Sequence, residues 1–255
     1  MSDRFTTSDG TAIACYRWGE SNPGPIVVLH HGFASDAQSN WAGPGIVEAL
    51  LQAGRSVLTV DARGHGQADK PHDADRYGEQ RMALDLLELL ESLGLSRVDL
   101  FGYSMGAVVS LIVASTSDMV RRLVVGGVGE GIIECGGVDT RRVGRDAIVQ
   151  ALLAADVAAV EHPGAAAFRM FAEYTGADLK ALAGQARSLH CEAIALDHIS
   201  APTLVLAGEA DVLAANPQRL ADAIAGAECR VLPGDHLTVI RQPALAAAVI
   251  DFLKP

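Results

Sequence analysis

Short apolar runs, each ended by turn-forming residues, alternate with longer amphipathic segments along most of the chain. Strands that are buried on both faces, as in a parallel sheet, are predicted near 25–30, 55–60, 97–102, 121–127, 202–207 and 228–232. Residues 3–18 predict an antiparallel hairpin that turns at Asp9-Gly10. Helices are predicted near 40–53, 78–93, 104–116, 216–225 and 237–253. This alternation predicts an α/β protein with a mostly parallel, eight-stranded sheet that is flanked by helices.

The segment from 129 to 198 interrupts the alternation, because it contains no convincing strand. Helical patterns occupy three pieces of it, at 147–160, 165–174 and 178–196. We therefore expect a core domain formed by residues 1–128 and 199–255, with residues 129–198 inserted after the sixth strand as a helical cap. Long insertions near a site usually have a function. The alternative is a set of packing helices that have no contact with substrate.

The sequence Gly102-Tyr103-Ser104-Met105-Gly106 lies between a predicted strand and a predicted helix. A strand that ends in Gly-x-Ser-x-Gly and turns at once into a helix forms a nucleophile elbow, which lifts the serine hydroxyl above the sheet edge. Glycine at both flanks avoids collisions with the neighbouring strand and helix. Ser104 is therefore the predicted nucleophile. The Met105 N–H, at a helix N-terminus, is predicted to stabilise developing negative charge.

Three further features follow predicted strands and could supply the partners that a nucleophilic serine needs. His31-Gly32-Phe33 follows the first parallel strand, where the Phe33 N–H is the expected second donor of an oxyanion hole. Asp211 and His236 follow the last two strands. The order Ser104, Asp211, His236 is the one that proteins with this type of elbow use. Glu130, which follows the strand near 121–127, is the alternative acid.

Together these motifs resemble those of the α/β-hydrolase superfamily, in its compact bacterial esterase-like branch, and the similarity extends over nearly the whole chain. The stretches that carry it are His31-Gly32-Phe33, Asp61-Ala62-Arg63-Gly64-His65-Gly66, the Ser104 motif, Gly208-Glu209-Ala210-Asp211 and Gly234-Asp235-His236. One departure is Asp235, which adds a charge where many relatives have a small residue. The resemblance implies the α/β-hydrolase fold and a catalytic triad of Ser104, Asp211 and His236. It also implies an oxyanion hole formed by the backbone N–H groups of Phe33 and Met105.

The function expected from this resemblance is hydrolysis of carboxylic esters of short to medium acyl chain, through an acyl-enzyme on Ser104. Alternatives that use the same triad are hydrolysis of lactones or carbon–carbon bonds, perhydrolysis and acyl transfer; a non-catalytic small-molecule receptor is a further one. Ser104 disfavours an epoxide hydrolase, because those relatives have Asp at this position. Tyr103, Phe168 and Phe171 are expected to contact the substrate, although the two phenylalanines could instead form the core of the cap.

Composition limits the partners of the chain. Its net charge of −11, from 20 basic and 31 acidic residues, argues against a nucleic acid or an anionic membrane as partner. No apolar stretch approaches the ~18 residues of a membrane-spanning helix, and the N-terminus has no secretory signal pattern. We therefore expect a cytoplasmic enzyme with a small-molecule substrate. The four cysteines lie far apart and form no metal-binding pattern, so no metal or cofactor is expected. The oligomeric state stays open.

Overall fold

A computed structural model describes residues 3–254 of the chain. Eight strands form one sheet in the order β1-β2-β4-β3-β5-β6-β7-β8. The strands are β1 (Asp3–Thr6), β2 (Ala12–Trp18), β3 (Val27–His30), β4 (Val57–Asp61), β5 (Val98–Tyr103), β6 (Val120–Gly126), β7 (Thr203–Gly208) and β8 (Glu228–Leu232). β2 pairs antiparallel with β1 and with β4, and the other pairings are parallel. The predicted α/β fold with a mostly parallel, eight-stranded sheet is confirmed.

The central strands are buried on both faces, which explains their continuous apolar sequences. Every residue of β3, β4, β5 and β7 is buried. Side chains of α1 (Ile46–Gln52) and α9 (Pro243–Phe252) pack with one face of the sheet. Those of α2 (Glu79–Ser92), α3 (Met105–Thr116) and α8 (Pro217–Asp222) pack with the other. Within residues 3–254, no helix is both long and apolar enough to cross a membrane.

Several helices are shorter than their sequence patterns predicted. The helix predicted near 40–53 is a π-helical turn, Gln38–Ala42, followed by α1. Pro44 and Gly45, whose φ is 86°, lie between the two pieces and interrupt regular helical hydrogen bonding. The helix predicted near 237–253 begins only at Pro243, because a separate 3-10 turn precedes it.

Between β6 and β7, where every residue is described, the chain forms four α-helices and no strand. These inserted helices are α4 (Gly131–Cys135), α5 (Arg145–Leu153), α6 (Pro163–Tyr174) and α7 (Leu179–Arg187). α4 has no counterpart among the predicted helices, since five residues are too few to show a period. The patterns at 147–160 and 178–196 overestimated α5 and α7, which end at Leu153 and Arg187. The division into a core domain and a cap stays a prediction.

The buried side chain of Arg169 ties two of the inserted helices together. Its Nη1 lies 3.0, 3.0 and 2.9 Å from the carbonyl oxygens of Ala151, Leu152 and Ala154. Its Nε donates to Glu173 at 2.8 Å. The last carbonyls of a helix have no intrahelical partner and favour a cation. Arg169 of α6 therefore satisfies the C-terminal end of α5.

Glu79, the first residue of α2, is buried against the segment that follows α7. Its Oε2 accepts the N–H of His190 at 2.7 Å. Nearby, Gln185 of α7 accepts the Gly78 N–H at 3.1 Å. Burial raises the pKa of Glu79 to about 7, against the smaller opposing effect of the hydrogen bond from His190. The fold therefore favours the neutral acid at this contact.

The variant Glu79→Gln should flatten the pH dependence of stability. In the unfolded chain this carboxyl ionises near its ordinary pKa of 4.5, whereas in the folded chain it does so only near 7. The wild-type protein therefore loses stability as the pH rises between these two values, by about 3 kcal/mol in total. Glutamine keeps the hydrogen bond and cannot ionise. Urea denaturation of both proteins across this range measures the difference, and parallel pH profiles would contradict the raised pKa.

Candidate active site

Ser104 lies in the sharp turn between β5 and α3. Its φ of 54° and ψ of −115° form a combination that residues with a side chain rarely adopt. The flanking glycines explain how the turn can form. A Cβ at Gly102 would lie 2.0 Å from the Gly106 carbonyl oxygen, and one at Gly106 would lie 2.1 Å from the His30 carbonyl oxygen. Only glycine fits at either position without a backbone shift.

Asp211 and His236 follow the carboxyl ends of β7 and β8, and both reach the same edge of the sheet as Ser104. His236 Nε2 lies 3.1 Å from Ser104 Oγ, and His236 Nδ1 lies 2.8 Å from Asp211 Oδ2. The second Asp211 oxygen accepts the N–H groups of Leu213 and Ala214 at 3.0 and 3.2 Å. Since the Asp211 side chain is buried, these bonds hold it in one orientation. The structure thus brings together the three residues that the sequence predicted as a triad.

Glu130, the alternative acid, does not contact His236. Its carboxylate accepts hydrogen bonds from Arg141, Asn216 and Arg219 at 3.0, 2.8 and 2.8 Å. The hydrogen bond from Asn216, followed by that from Arg219, lowers the pKa of Glu130. This carboxylate therefore belongs to a surface network of ion pairs between α4 and α8.

The backbone N–H groups of Phe33 and Met105 are the predicted oxyanion donors, and both residues adjoin Ser104. Met105 is the first residue of α3, so its N–H has no acceptor within the helix. Among residues 3–254, neither this N–H nor that of Phe33 donates to another backbone carbonyl. Phe33 and Met105 both line a cavity that includes Ser104. Two donors that lack a partner next to one hydroxyl can bind a negatively charged oxygen.

Side chains beneath the loop hold Phe33 in place. Asn40 Oδ1 accepts the Gly32 N–H at 3.0 Å. His31 Nε2 accepts the Ala62 N–H at 3.0 Å, so its Nδ1 carries the proton and donates to the Gly32 carbonyl at 2.8 Å. The role of Asn40 was not predicted, because it lies in a segment with a helical pattern and nothing around it signals the contact.

Tyr103 contacts His236 as well as the space above Ser104. Its hydroxyl donates to the His236 carbonyl at 2.7 Å, and the two rings are 5.3 Å apart. Burial, followed by the nearby carboxylates of Asp211 and Asp235, raises the pKa of Tyr103 well above its usual range. The hydroxyl therefore keeps its proton and can hold the His236 backbone.

A cavity of about 560 Å³ lies above Ser104. Tyr103, Phe168 and Phe171, the predicted substrate contacts, all line it. Phe168 and Phe171 are half-buried and also pack against buried side chains of the inserted helices. Each of these two side chains therefore lines the cavity and also packs among the inserted helices, whereas the sequence predicted one role or the other. Among residues 3–254, no group of three His, Cys, Asp or Glu side chains could hold a metal ion.

A family model described as alpha/beta hydrolase fold matches residues 25–168, which is more than half of the chain. The chain belongs to this family. The resemblance that the motifs indicated is therefore confirmed. The matched residues include His31-Gly32-Phe33 and the Ser104 motif, whereas Asp211 and His236 lie beyond them.

Relatives in the alpha/beta-hydrolase family act on different bonds. An epoxide hydrolase from Mycobacterium tuberculosis is 36% identical over 109 residues, which cover 42% of this chain and 32% of that protein. An sn-1-specific diacylglycerol lipase from Mus musculus is 42% identical over 109 residues, with 42% and 33% covered. The chain thus spans about a third of the length of these curated relatives. The solved structure of an enol-lactonase from Burkholderia xenovorans superposes with a TM-score of 0.75 at 27% identity, covering 98% of this chain and 99% of that one.

The variants Ser104→Gly and Ser104→Ala should differ in stability. Alanine keeps the strained backbone conformation, which costs about 1–3 kcal/mol. Glycine relieves it but loses ~0.5–1 kcal/mol in conformational entropy on folding. The glycine variant should therefore be more stable by about 1 kcal/mol, as measured by urea denaturation. A glycine variant that is less stable than the alanine variant would show that this turn is not strained.

Proposed function

We propose that the protein is a serine hydrolase that cleaves carboxylic esters of short to medium acyl chain. The observation that carries this proposal is the chain of hydrogen bonds from Asp211 through His236 to Ser104, with lengths of 2.8 and 3.1 Å. Acyl transfer needs a nucleophile, a base within reach of its proton and a group that orients the base. These three residues supply one group for each task.

The reaction begins when Ser104 Oγ attacks the acyl carbon and His236 Nε2 takes the serine proton. Nε2 can accept this proton only if the ring proton is on Nδ1. The buried Asp211 carboxylate accepts a hydrogen bond from Nδ1–H, which selects that tautomer and stabilises the imidazolium that forms. The Tyr103 hydroxyl, bound to the His236 carbonyl, limits movement of the base.

Negative charge then develops on the former carbonyl oxygen of the ester. The N–H groups of Phe33 and Met105 bind this oxygen, and each donor is worth roughly 10²–10³-fold in rate. His236 passes its proton to the leaving alcohol, and the acyl group stays on Ser104. Water, activated by His236, repeats the sequence and releases the acid.

The identity of the nucleophile limits which of the bonds cleaved by relatives this protein could cleave. A carboxylate that opens an epoxide gives an ester, which water can cleave. Ser104 would give an ether, which resists hydrolysis, so epoxides are poor candidates. Lactones are cyclic esters and pass through the same tetrahedral intermediate. Because a structural neighbour is named as an enol-lactonase at 27% identity, lactone hydrolysis is the second candidate. Parallel assays of p-nitrophenyl esters and an enol lactone distinguish the two.

We infer that residues 129–198 act as a cap over the substrate. Val143, Phe168 and Phe171 of this segment line the cavity above Ser104. Phe168 also packs edge-on against Phe33, with 6.0 Å between ring centroids. The cap therefore contacts both the substrate space and the loop that carries an oxyanion donor.

The variant Ser104→Ala should lower kcat for p-nitrophenyl acetate by about 10⁴-fold or more, because the triad acts as a unit. Ser110→Ala is the matched control, since Ser110 lies within α3, the helix that follows Ser104, and its hydroxyl donates to the Gly106 carbonyl at 2.7 Å. Initial rates with both purified variants test the assignment. Near-normal turnover by Ser104→Ala would refute Ser104 as the nucleophile.

The variant Asp211→Asn should lower kcat by about 10⁴-fold, because an amide favours the wrong imidazole tautomer while it preserves the packing. Glu130→Gln changes the same functional group on a carboxylate that lies away from His236. It should leave kcat within about threefold, as expected for an exposed ion pair. The same ester assay compares the two variants. If Glu130→Gln is the more damaging change, the acid has been assigned to the wrong residue.

A further inference from the structure

Two cavities meet at Ser104, and their volumes are about 560 and 40 Å³. Five residues line both cavities: Phe33, Ser104, Val143, Phe168 and Leu213. His236 lines only the larger cavity, whereas Met105 lines only the smaller one. The nucleophile thus stands between a large space beside the base and a small space beside an oxyanion donor.

The position of His236 decides which part of an ester each cavity receives. The proton that His236 takes from Ser104 must pass to the leaving oxygen, so that oxygen lies next to Nε2 in the tetrahedral intermediate. The substrate carbonyl oxygen points to the N–H groups of Phe33 and Met105. The four substituents of a tetrahedral carbon diverge, so the acyl chain points away from His236. The smaller cavity is the space on that side.

The two cavities also differ in whether they open to solvent. None of the residues that line the smaller cavity is exposed. Those that line it alone are mostly apolar: Met105, Val138, Ile148, Ala186 and Leu189, together with Asp139 and Thr140. The larger cavity includes Tyr174, Val212 and Leu237, which are 81, 62 and 51% exposed. A long substituent can therefore extend from the larger cavity into solvent. In the smaller cavity it meets buried side chains.

We propose that the smaller cavity is the acyl site and that the larger cavity holds a bulky, apolar alcohol group. The proposal rests on the proposed ester hydrolysis and narrows its substrate class. A water-sized group occupies about 10–15 Å³ of such a cavity. The volume of about 40 Å³ therefore corresponds to roughly three water-sized groups, which points to a short acyl chain. We expect acyl groups from acetyl to butyryl to be accepted, and Ile148 and Leu189 line this cavity but not the larger one.

Two series of esters test the assignment with the wild-type protein. The first series joins p-nitrophenol to acetate, butyrate, hexanoate and octanoate. We expect kcat/KM to fall by about tenfold or more between butyrate and hexanoate, because hexanoate adds two methylenes and each misplaced methylene costs about tenfold or more in a tight pocket. The second series joins acetate to phenol, 2-naphthol and larger aromatic alcohols. In this series kcat/KM should stay constant or increase as the alcohol group becomes larger.

The opposite pattern, with octanoate preferred and large alcohols rejected, would overturn the assignment and leave ester hydrolysis intact. If no ester in either series is cleaved, the proposed function itself fails and the acyl site fails with it. The two failures are therefore distinguishable from the same data.

Variants of each cavity give a second test. Leu189→Ala enlarges the smaller cavity and should raise kcat/KM for hexanoate relative to acetate by about tenfold. Ile148→Val is a gentler change that should act in the same direction if Leu189→Ala does not fold. Leu237→Ala, the matched truncation at the mouth of the larger cavity, should change the ranking of alcohols and leave the acyl ranking as it is. The proposal would be overturned if Leu237→Ala, and not Leu189→Ala, allowed the protein to cleave esters with longer acyl chains.

Discussion

The close approach of α3 to the sheet is the constraint on which the site depends. At Gly102 and Gly106 the backbones are so close that a Cβ would lie only 2.0 and 2.1 Å from a carbonyl oxygen. This contact brings the start of a helix to the ends of β3 and β5 and forces Ser104 into its left-handed φ of 54°. Because Met105 is the first residue of α3, its N–H has no acceptor within the helix. The proposed nucleophile and one oxyanion donor thus result from a single packing contact.

A second close contact places the other half of the site. A Cβ at Gly208 would lie 2.4 Å from the Gly234 carbonyl oxygen, and that oxygen accepts the Ala210 N–H at 3.0 Å. The loops that carry Asp211 and His236 are therefore packed against each other independently of Ser104. Neighbouring parallel strands end at the same edge of the sheet, so residues far apart in sequence meet there. The strand ends and the contacts between these loops therefore set the distances on which proton transfer would depend.

Sequence reasoning succeeded where local chemistry specifies the structure. The central strands are recognisable because burial of both faces requires continuous apolar runs, and the Ser104 turn is recognisable because it requires two glycines. Helix ends were less predictable, since the apolar pattern near 40–53 continues through the break at Pro44. Contacts between distant elements left no signal: the hydrogen bond from Tyr103 to the His236 carbonyl and the Asn40 contact beneath the Phe33 loop exist only in the folded chain. The division into two cavities is equally a product of tertiary packing.

A covalent acyl group on Ser104 is the most direct evidence for the proposed chemistry. The protein is mixed with p-nitrophenyl acetate, quenched in acid during turnover, digested and studied by mass spectrometry. We predict an added acetyl group on the peptide that contains Ser104, and none on the same peptide from Asp211→Asn protein quenched after the same short time. Ester turnover that proceeds with the acetyl group on a different residue, or that persists unchanged in Ser104→Ala protein, would contradict the role of Ser104 as nucleophile.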